Sequence, residues 1–158
     1  MTRFMLLLSV FTIAACGKND EEESVFDFST IPDSPLSGLV GGEAWDFESG
    51  VTDDFLSDAD GFFAIFHATA VDCSGFNESG NSLITSLPTE PGEYEMGLSQ
   101  TVTFYVEASQ ENLVSLTGGI RIDEVTETEI KGGLVAEFDA DNEASGTFVI
   151  AICPDQTY

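Results

Sequence analysis

Few side chains in this sequence are suited to acid–base or nucleophilic chemistry. His67 is the only histidine, so any Ser-His-Asp or Cys-His arrangement would have to use it as the base. It lies within the apolar segment 61–69 (GFFAIFHAT), and no nucleophile elbow or companion motif accompanies it. Paired carboxylates could hydrolyse glycosides, but among 29 acidic residues some pair is close by chance. We therefore expect His67 to be a core or sheet-face residue and predict that the chain is not an enzyme.

A cluster of acidic residues in one loop is the best candidate for a metal site. Its members are Asp53, Asp54, Asp58 and Asp60. Calcium binds about six to eight oxygen atoms from carboxylates and carbonyls, which a short acidic loop supplies. An EF-hand does not fit, because alignment on Gly61 puts Leu56 and His67 where acids are needed. Calcium is therefore the only candidate cofactor. The alternative is that this loop is solvated and binds no metal, and the same alternative applies to the acids of residues 139–143.

Cys16 follows a segment with three features of an export signal. Arg3 supplies a positive charge, residues 4–13 are apolar, and Ala14 and Ala15 are the small residues that a signal peptidase needs. An apolar run this short does not span a hydrocarbon core, which takes about 20 helical residues. We therefore predict that residues 1–15 are a cleaved signal peptide.

The four residues Ile13, Ala14, Ala15 and Cys16 resemble the lipobox of bacterial lipoproteins, with Ile13 in place of the usual Leu. The resemblance implies that the Cys16 thiol is lipidated and becomes the new N-terminus, a covalent anchor to the membrane. Gly17 stands at the next position instead of Asp, which implies the outer membrane, facing the periplasm or the cell surface. The alternative is an ordinary secretory signal with a chance cysteine.

Two cysteines remain once Cys16 is assigned to lipid. In an oxidising compartment they predict one disulfide, Cys73–Cys153. Closing a loop of about 80 residues would stabilise the fold by about 4 kcal/mol. Two separate buried thiols are the alternative. Zinc is not expected, because two thiols and one histidine are too few ligands.

The charge of the chain narrows the range of partners. After removal of residues 1–15, three basic residues stand against 29 acidic ones, a formal charge of −26. This excludes binding to a nucleic-acid backbone, since almost nothing can neutralise the phosphates. It also opposes docking on anionic lipid headgroups, so attachment to the membrane must be covalent. We expect the acidic surface to keep the protein soluble; binding of divalent cations or a cationic partner is the alternative.

Short apolar, β-branched and aromatic runs separated by Gly, Pro, Asn and Asp predict strands rather than helices. The predicted strands are residues 39–41, 44–51, 62–70, 82–87, 93–97, 102–108, 113–116, 119–125, 128–139 and 146–153. Alternation is clearest near the end, where Leu134, Ala136 and Phe138 share one face. A polar hairpin connection is predicted at 140–144, and the glycine pairs 41–42, 118–119 and 132–133 predict bulges or sharp bends.

Even strand spacing without crossover helices predicts an all-β fold, an antiparallel β-sandwich or barrel of roughly eight to ten short strands. The predicted organisation is a lipoprotein signal peptide at 1–15, a lipidated acidic tether at 16–37 and the antiparallel β domain at 38–158. Val25, Phe26, Phe28 and Ile31 interrupt the polar tether, and we expect them to dock on the domain. The 21 residues of the tether after Cys16, 17–37, span about 25 Å root-mean-square.

The domain also resembles small β-rich lipoprotein domains of unknown function in Gram-negative bacteria. The matching segments are 42–45 (GEAW), 91–97 (PGEYEMG), 119–122 (GIRI) and 145–148 (SGTF). They are turn and core residues, so the resemblance implies a β fold and carries over no catalytic residue.

Together these features predict an outer-membrane-anchored lipoprotein whose β domain is a non-enzymatic binding or structural module. The alternatives are a cation-assisted binder of glycans or envelope proteins, and a small envelope hydrolase. Trp45, Tyr94 and Tyr105 could form a glycan-stacking surface, but at strand spacing they are expected in the core. The ligand and the oligomeric state do not follow from the sequence.

Overall fold

The computed structural model describes residues 26–53, 57, 61–73 and 80–154, with only the backbone of Asp53. A 3₁₀ turn at Phe28–Thr30 precedes eleven strands in this part of the chain. They are β1 (Ser37–Val40), β2 (Glu43–Asp46), β3 (Ser49–Asp53), β4 (Gly61–His67), β5 (Ser82–Pro88), β6 (Gly92–Glu95), β7 (Val102–Val106), β8 (Glu111–Ser115), β9 (Thr117–Val125), β10 (Glu129–Asp139) and β11 (Asn142–Ala151). The predicted all-β class is confirmed.

The strands form one curled sheet, a half-barrel, in the order β6-β9-β10-β11-β3-β4-β5-β7-β8. Strand β1 lies off this path and pairs with β11 and β2. All pairs of named strands are antiparallel except β11 with β3, which meet in parallel at Ala151 and Val51. The chain passes from β8 at one end of the sheet directly into β9 near the other end. There the Ser115 hydroxyl donates to the Glu137 carbonyl at 2.7 Å and fixes the bend.

The core fills the concave side of the curled sheet. Its largest fully buried side chains include Trp45, Phe66, Phe104, Leu83, Leu87, Ile120, Ile130, Leu134 and Ile150. Phe66 of β4 meets Phe148 of β11 edge-to-face across β3, with ring centroids 5.1 Å apart, which joins two strands that are far apart in sequence. The predicted alternation holds for Leu134 and Ala136, which are buried. Phe138, in contrast, is 46% exposed, because at this position β10 extends beyond the core.

Most predicted strand boundaries differ from the structure by a few residues, and two of the differences have a visible cause. Residues 44–51 form two strands instead of one, because the chain changes partners at Phe47, whose N–H donates to the Leu36 carbonyl. The hairpin between β10 and β11 is also tighter than the predicted 140–144, since β11 already begins at Asn142. The Asp139 carboxylate stabilises this turn by accepting from the Asp141 N–H at 3.0 Å and the Asn142 side-chain amide at 2.8 Å.

Residues 26–36, the strap, cross the outer face of the sheet before β1. Phe26 and Phe28 pack over Gly119 of β9, and Ile31 is buried over Gly133 of β10. The strap ends with Leu36, which enters the core and whose N–H donates to the Thr147 carbonyl of β11 at 2.9 Å. The expected docking of Phe26, Phe28 and Ile31 is present, while Val25 lies outside the described residues. Packing on the domain therefore begins within the predicted tether, well before residue 38.

The paired glycines have three different roles. Gly41 and Gly42, at φ +65° and +76°, form the turn between β1 and β2, where the left-handed backbone favours glycine. A register shift between Lys131 and Gly132 is the predicted kind of bulge. Gly133, in contrast, lacks a side chain at the place where Ile31 of the strap crosses the sheet.

Replacing Gly133 with Val is expected to lower the free energy of unfolding by about 1–3 kcal/mol, as overpacking does. A Cβ there would lie 2.7 Å from Cγ2 of Ile31 and 3.2 Å from the Gly146 carbonyl oxygen. The matched control is Gly97→Val, because no heavy atom lies within 4 Å of a Cβ at that position. Urea unfolding should give a change within about 0.5 kcal/mol for the control. Equal losses in the two variants would contradict the strap contact.

Candidate binding surfaces

The predicted pairing of Cys73 with Cys153 is confirmed. The two residues are disulfide-bonded, with Cα atoms 5.4 Å apart across 80 positions of sequence. Cys153 is buried, and its N–H donates to the Thr52 hydroxyl of β3 at 3.0 Å. The bond therefore holds the end of the C-terminal strand to the β3–β4 side of the sheet. Cys16, the predicted lipidation site, lies outside the described residues.

The calcium candidates fall at the end of β3. Asp53 is the last residue of that strand, and Asp54, Asp58 and Asp60 lie outside the described residues. Among the residues that the structure describes, no three His, Cys, Asp or Glu side chains come together as a metal site. In the second acidic cluster, the Asp139 carboxylate takes part in the hairpin turn.

His67 occupies the end of β4, between Ser49 of β3 and Ser82 of β5. It is only 5% exposed, in keeping with the expected core or sheet-face position. A cleft of about 190 Å³ lies beside it. The lining residues are Glu43, Ala44, Trp45, His67, Ala68, Thr69, Gly80 and Asn81. Typical small-molecule sites occupy about 300–1,000 Å³, so this cleft is small for an organic ligand.

Trp45 belongs to the core instead of to a glycan-stacking surface. It is 2% exposed, and its indole N–H donates to the Asn81 carbonyl at 2.9 Å. The Asn81 side chain in turn donates to the Val40 carbonyl at 2.9 Å and accepts from the Glu107 N–H at 3.0 Å. Asn81 thus connects the ends of β1 and β7 to Trp45 in β2. Sequence analysis did not identify Asn81, because a single Asn between two strands is also an ordinary turn residue.

A larger cleft opens on the outer face where the strap meets β11. This outer cleft has a volume of about 440 Å³. It is lined by Pro35, Phe47, Glu48, Asp123, Lys131, Thr147, Phe148 and Val149. Val149 is 49% exposed in it, whereas Phe148 is buried beneath. Its residues come from the strap and four separate stretches of the chain, so no local sequence pattern could have revealed it.

The two basic residues of the described chain, Arg121 and Lys131, both form ion pairs. Arg121 Nε lies 2.7 Å from Asp123, and Lys131 Nζ lies 2.8 Å from both Glu124 and Glu129. The hydrogen bond to Asp123 raises the pKa of Arg121, and those to Glu124 and then Glu129 raise the pKa of Lys131. These pairs are partly solvent-exposed and contribute little to stability.

Sodium chloride is expected to raise the melting temperature by several degrees. With a formal charge of −25, self-repulsion is large at low salt. From 0.01 M to 1 M salt the screening length falls from about 30 Å to about 3 Å, which removes most of that repulsion. Calorimetry of the mature protein across this range checks the prediction; a flat or falling curve would contradict it. Calcium at matched ionic strength is the control, and a much larger rise with calcium would favour a specific site.

Within the part of the chain that the structure describes, no helix has the length and apolar character that crossing a membrane requires. Comparison of the sequence with protein-family models and with curated proteins, and of the fold with solved structures, finds no match. A proposal for the function therefore depends on the sequence pattern that ends at Cys16 and on the surfaces described above.

Proposed function

We propose that the chain is a bacterial lipoprotein, anchored to the outer membrane through Cys16, whose β domain is a non-enzymatic binding module for a cationic segment of an envelope protein. The anchor is supported by the pattern Ile13-Ala14-Ala15-Cys16. The position of the strap is compatible with it, because Phe26 begins to pack on the domain only ten positions after Cys16. The domain then faces the periplasm or the cell surface.

The outer cleft is the observation that carries the binding function. Its volume of about 440 Å³ is in the range of ligand sites, unlike that of the cleft beside His67. Phe47 and Val149 give it apolar surface, and Glu48 lines it as an acid, while the second acid of its lining, Asp123, is paired with Arg121. Lys131 also lines it, but its charge is already paired with two glutamates. An apolar cleft with an acidic margin favours a segment that carries both basic and apolar side chains.

Photo-crosslinking in living cells tests this assignment. A photoreactive amino acid at Val149 should capture one protein, whose crosslinked peptide contains Lys or Arg. The matched control is the same amino acid at Asn112, an exposed residue of β8 on another part of the surface. Adding Glu48→Gln and Asp123→Asn should reduce capture at position 149 at least severalfold. The proposed binding surface would be contradicted if positions 149 and 112 captured proteins equally. It would also be contradicted if the two charge substitutions left capture at position 149 unchanged.

Cys16→Ala is expected to release the protein from the membrane fraction. Without the thiol there is no site for the lipid, and the acidic mature chain has little affinity for anionic headgroups. Cell fractionation measures the effect, and mass spectrometry of the wild type should find a lipidated Cys16 at the N-terminus. Cys73→Ser, which removes a different cysteine, should stay in the membrane fraction. A Cys16→Ala protein that remains fully membrane-bound would contradict the lipoprotein proposal.

A further inference from the structure

Four exposed apolar side chains gather at one end of the half-barrel, which we call the apolar end. In the described chain five large hydrophobic residues are exposed, and Val149 belongs to the outer cleft. The other four are Leu98, Val114, Leu116 and Phe138, exposed by 95%, 46%, 47% and 46%. Single exposed apolar residues are ordinary on soluble proteins, but a group at one place marks an interaction surface.

The topology brings these four residues together. The last paired residues of β9 and β10 at this end are Thr117 and Glu137, and Leu116 and Phe138 are the next positions beyond that pair. Val114 lies on β8, two residues before Leu116 in the sequence.

Leu98 reaches the same end from the loop between β6 and β7. The Met96 N–H donates to the Gly118 carbonyl at 3.0 Å, which holds the start of this loop against β9. The Gly97 N–H donates to the Gln100 carbonyl at 2.9 Å and closes a turn with Leu98 inside it. The apolar end is therefore built from three separate connections of the sheet.

The described part of the chain begins next to this end. Phe26, the first described residue, packs over Gly119, which is two residues or about 7 Å along β9 from Thr117. Only nine residues, 17–25, separate Phe26 from Cys16. Even fully extended, they allow no more than about 35 Å between the two. A lipid on Cys16 therefore leaves the apolar end within reach of the membrane.

We propose that the apolar end rests in the headgroup layer of the bilayer that holds the Cys16 lipid. The proposal rests on the lipidation of Cys16 proposed above. Anchoring makes the contact intramolecular, so a few apolar side chains suffice without affinity for membranes in the free domain. The acids Glu95, Glu137 and Asp139 flank the end, so the contact favours zwitterionic over anionic lipids.

This orientation directs the outer cleft away from the membrane. Strand β11 begins at Asn142, near the apolar end, and Val149 lies seven residues along it. At the rise of a β-strand this places the cleft roughly 23 Å farther from the bilayer. The cleft is then accessible to a soluble or neighbouring envelope protein.

Tryptophan quenching in vesicles tests the contact. The lipidated full-length mature protein, carrying Leu98→Trp, is reconstituted into phosphatidylcholine vesicles whose acyl chains are brominated near the headgroup. Trp45 is buried in the core, so wild-type emission can be subtracted as a constant background. The emission added at position 98 should fall at least twofold, and that of Phe138→Trp likewise. Val149→Trp is the matched control, an exposed apolar site in the outer cleft, and should lose less than a tenth.

The outcomes separate this proposal from the proposed anchor. If the protein fails to float with the vesicles, the anchor is wrong, and this proposal fails with it. If it floats but positions 98 and 138 are no more quenched than position 149, the anchor stands and the membrane contact is wrong. Protection of position 98 from aqueous iodide without lipid quenching would instead indicate a second copy or a protein partner. Replacing half of the lipid by phosphatidylglycerol should weaken the quenching at low salt, with recovery at high salt.

Discussion

Replacing Cys73 or Cys153 with Ser is expected to lower the free energy of unfolding by about 2–5 kcal/mol. The bond closes a loop between positions 80 apart, so its loss releases a large part of the unfolded chain from a constraint. It also frees the end of β11, which meets β3 in only one parallel residue pair, Ala151 with Val51. Denaturant unfolding of the oxidised protein and of each variant measures the change.

The two single variants should lose nearly the same stability, and the double variant little more, because all three lack the same bond. Cys16→Ser is the matched control, since Cys16 takes no part in this bond. Thiol labelling of the denatured, unreduced protein provides a direct count. Two reactive thiols at Cys73 and Cys153 would contradict the disulfide in the mature protein.

Trp45→Ala is expected to lower the free energy of unfolding by about 3–5 kcal/mol, the usual effect of removing a large buried aromatic side chain. Trp45 is 2% exposed and packs near Phe47, with ring centroids 6.4 Å apart. Its removal would leave a cavity between β2 and the core. It would also remove the indole donor from the Asn81 carbonyl, which lies 2.9 Å from the nitrogen.

Trp45→Phe separates these two effects, because it keeps most of the packing but lacks the donor. It should cost about 1–3 kcal/mol, in the range for a buried acceptor that loses its hydrogen bond. Leu98→Ala is the exposed control and should change stability by no more than about 0.5 kcal/mol, since Leu98 is 95% exposed. A Trp45→Ala loss as small as that of Leu98→Ala would contradict the buried position of the indole.

The strand pattern was predictable because each strand carries its own signal. On β11, for example, the buried Phe148 and Ile150 alternate with the exposed Val149, and such alternation is visible in any sequence that covers one face of a sheet. The disulfide was predictable for a different reason, since the expectation that Cys16 is lipidated leaves two cysteines, which allow one intramolecular pairing. The location of this disulfide beside Thr52 and β3 was not predictable. The positions of two cysteines in the sequence show that they can pair, but not where the bond lies in the fold.

The contacts of the strap are an example of what local sequence patterns do not predict. The apolar residues within the tether indicated docking, but no pattern identified Gly119 and Gly133 as the places where Phe26 and Ile31 cross the sheet. A glycine in a strand indicates a bulge and a close approach equally well. Which of the two applies depends on a segment about a hundred residues away. The same holds for Asn81, whose three hydrogen bonds reach Val40, Trp45 and Glu107.

Sequence patterns thus predicted the all-β class, most strand positions, the cysteine pairing and the strongly acidic character of the chain. They also include the export pattern on which the proposed anchor depends. Three features follow from the tertiary fold alone: the strap belongs to the domain, an outer cleft opens beside Val149, and four exposed apolar residues share the end near which the described chain begins. The physical reason is that periodicity, charge and composition are properties of neighbouring residues, whereas clefts and surface patches depend on strand order and on the curl of the sheet, which long-range packing sets.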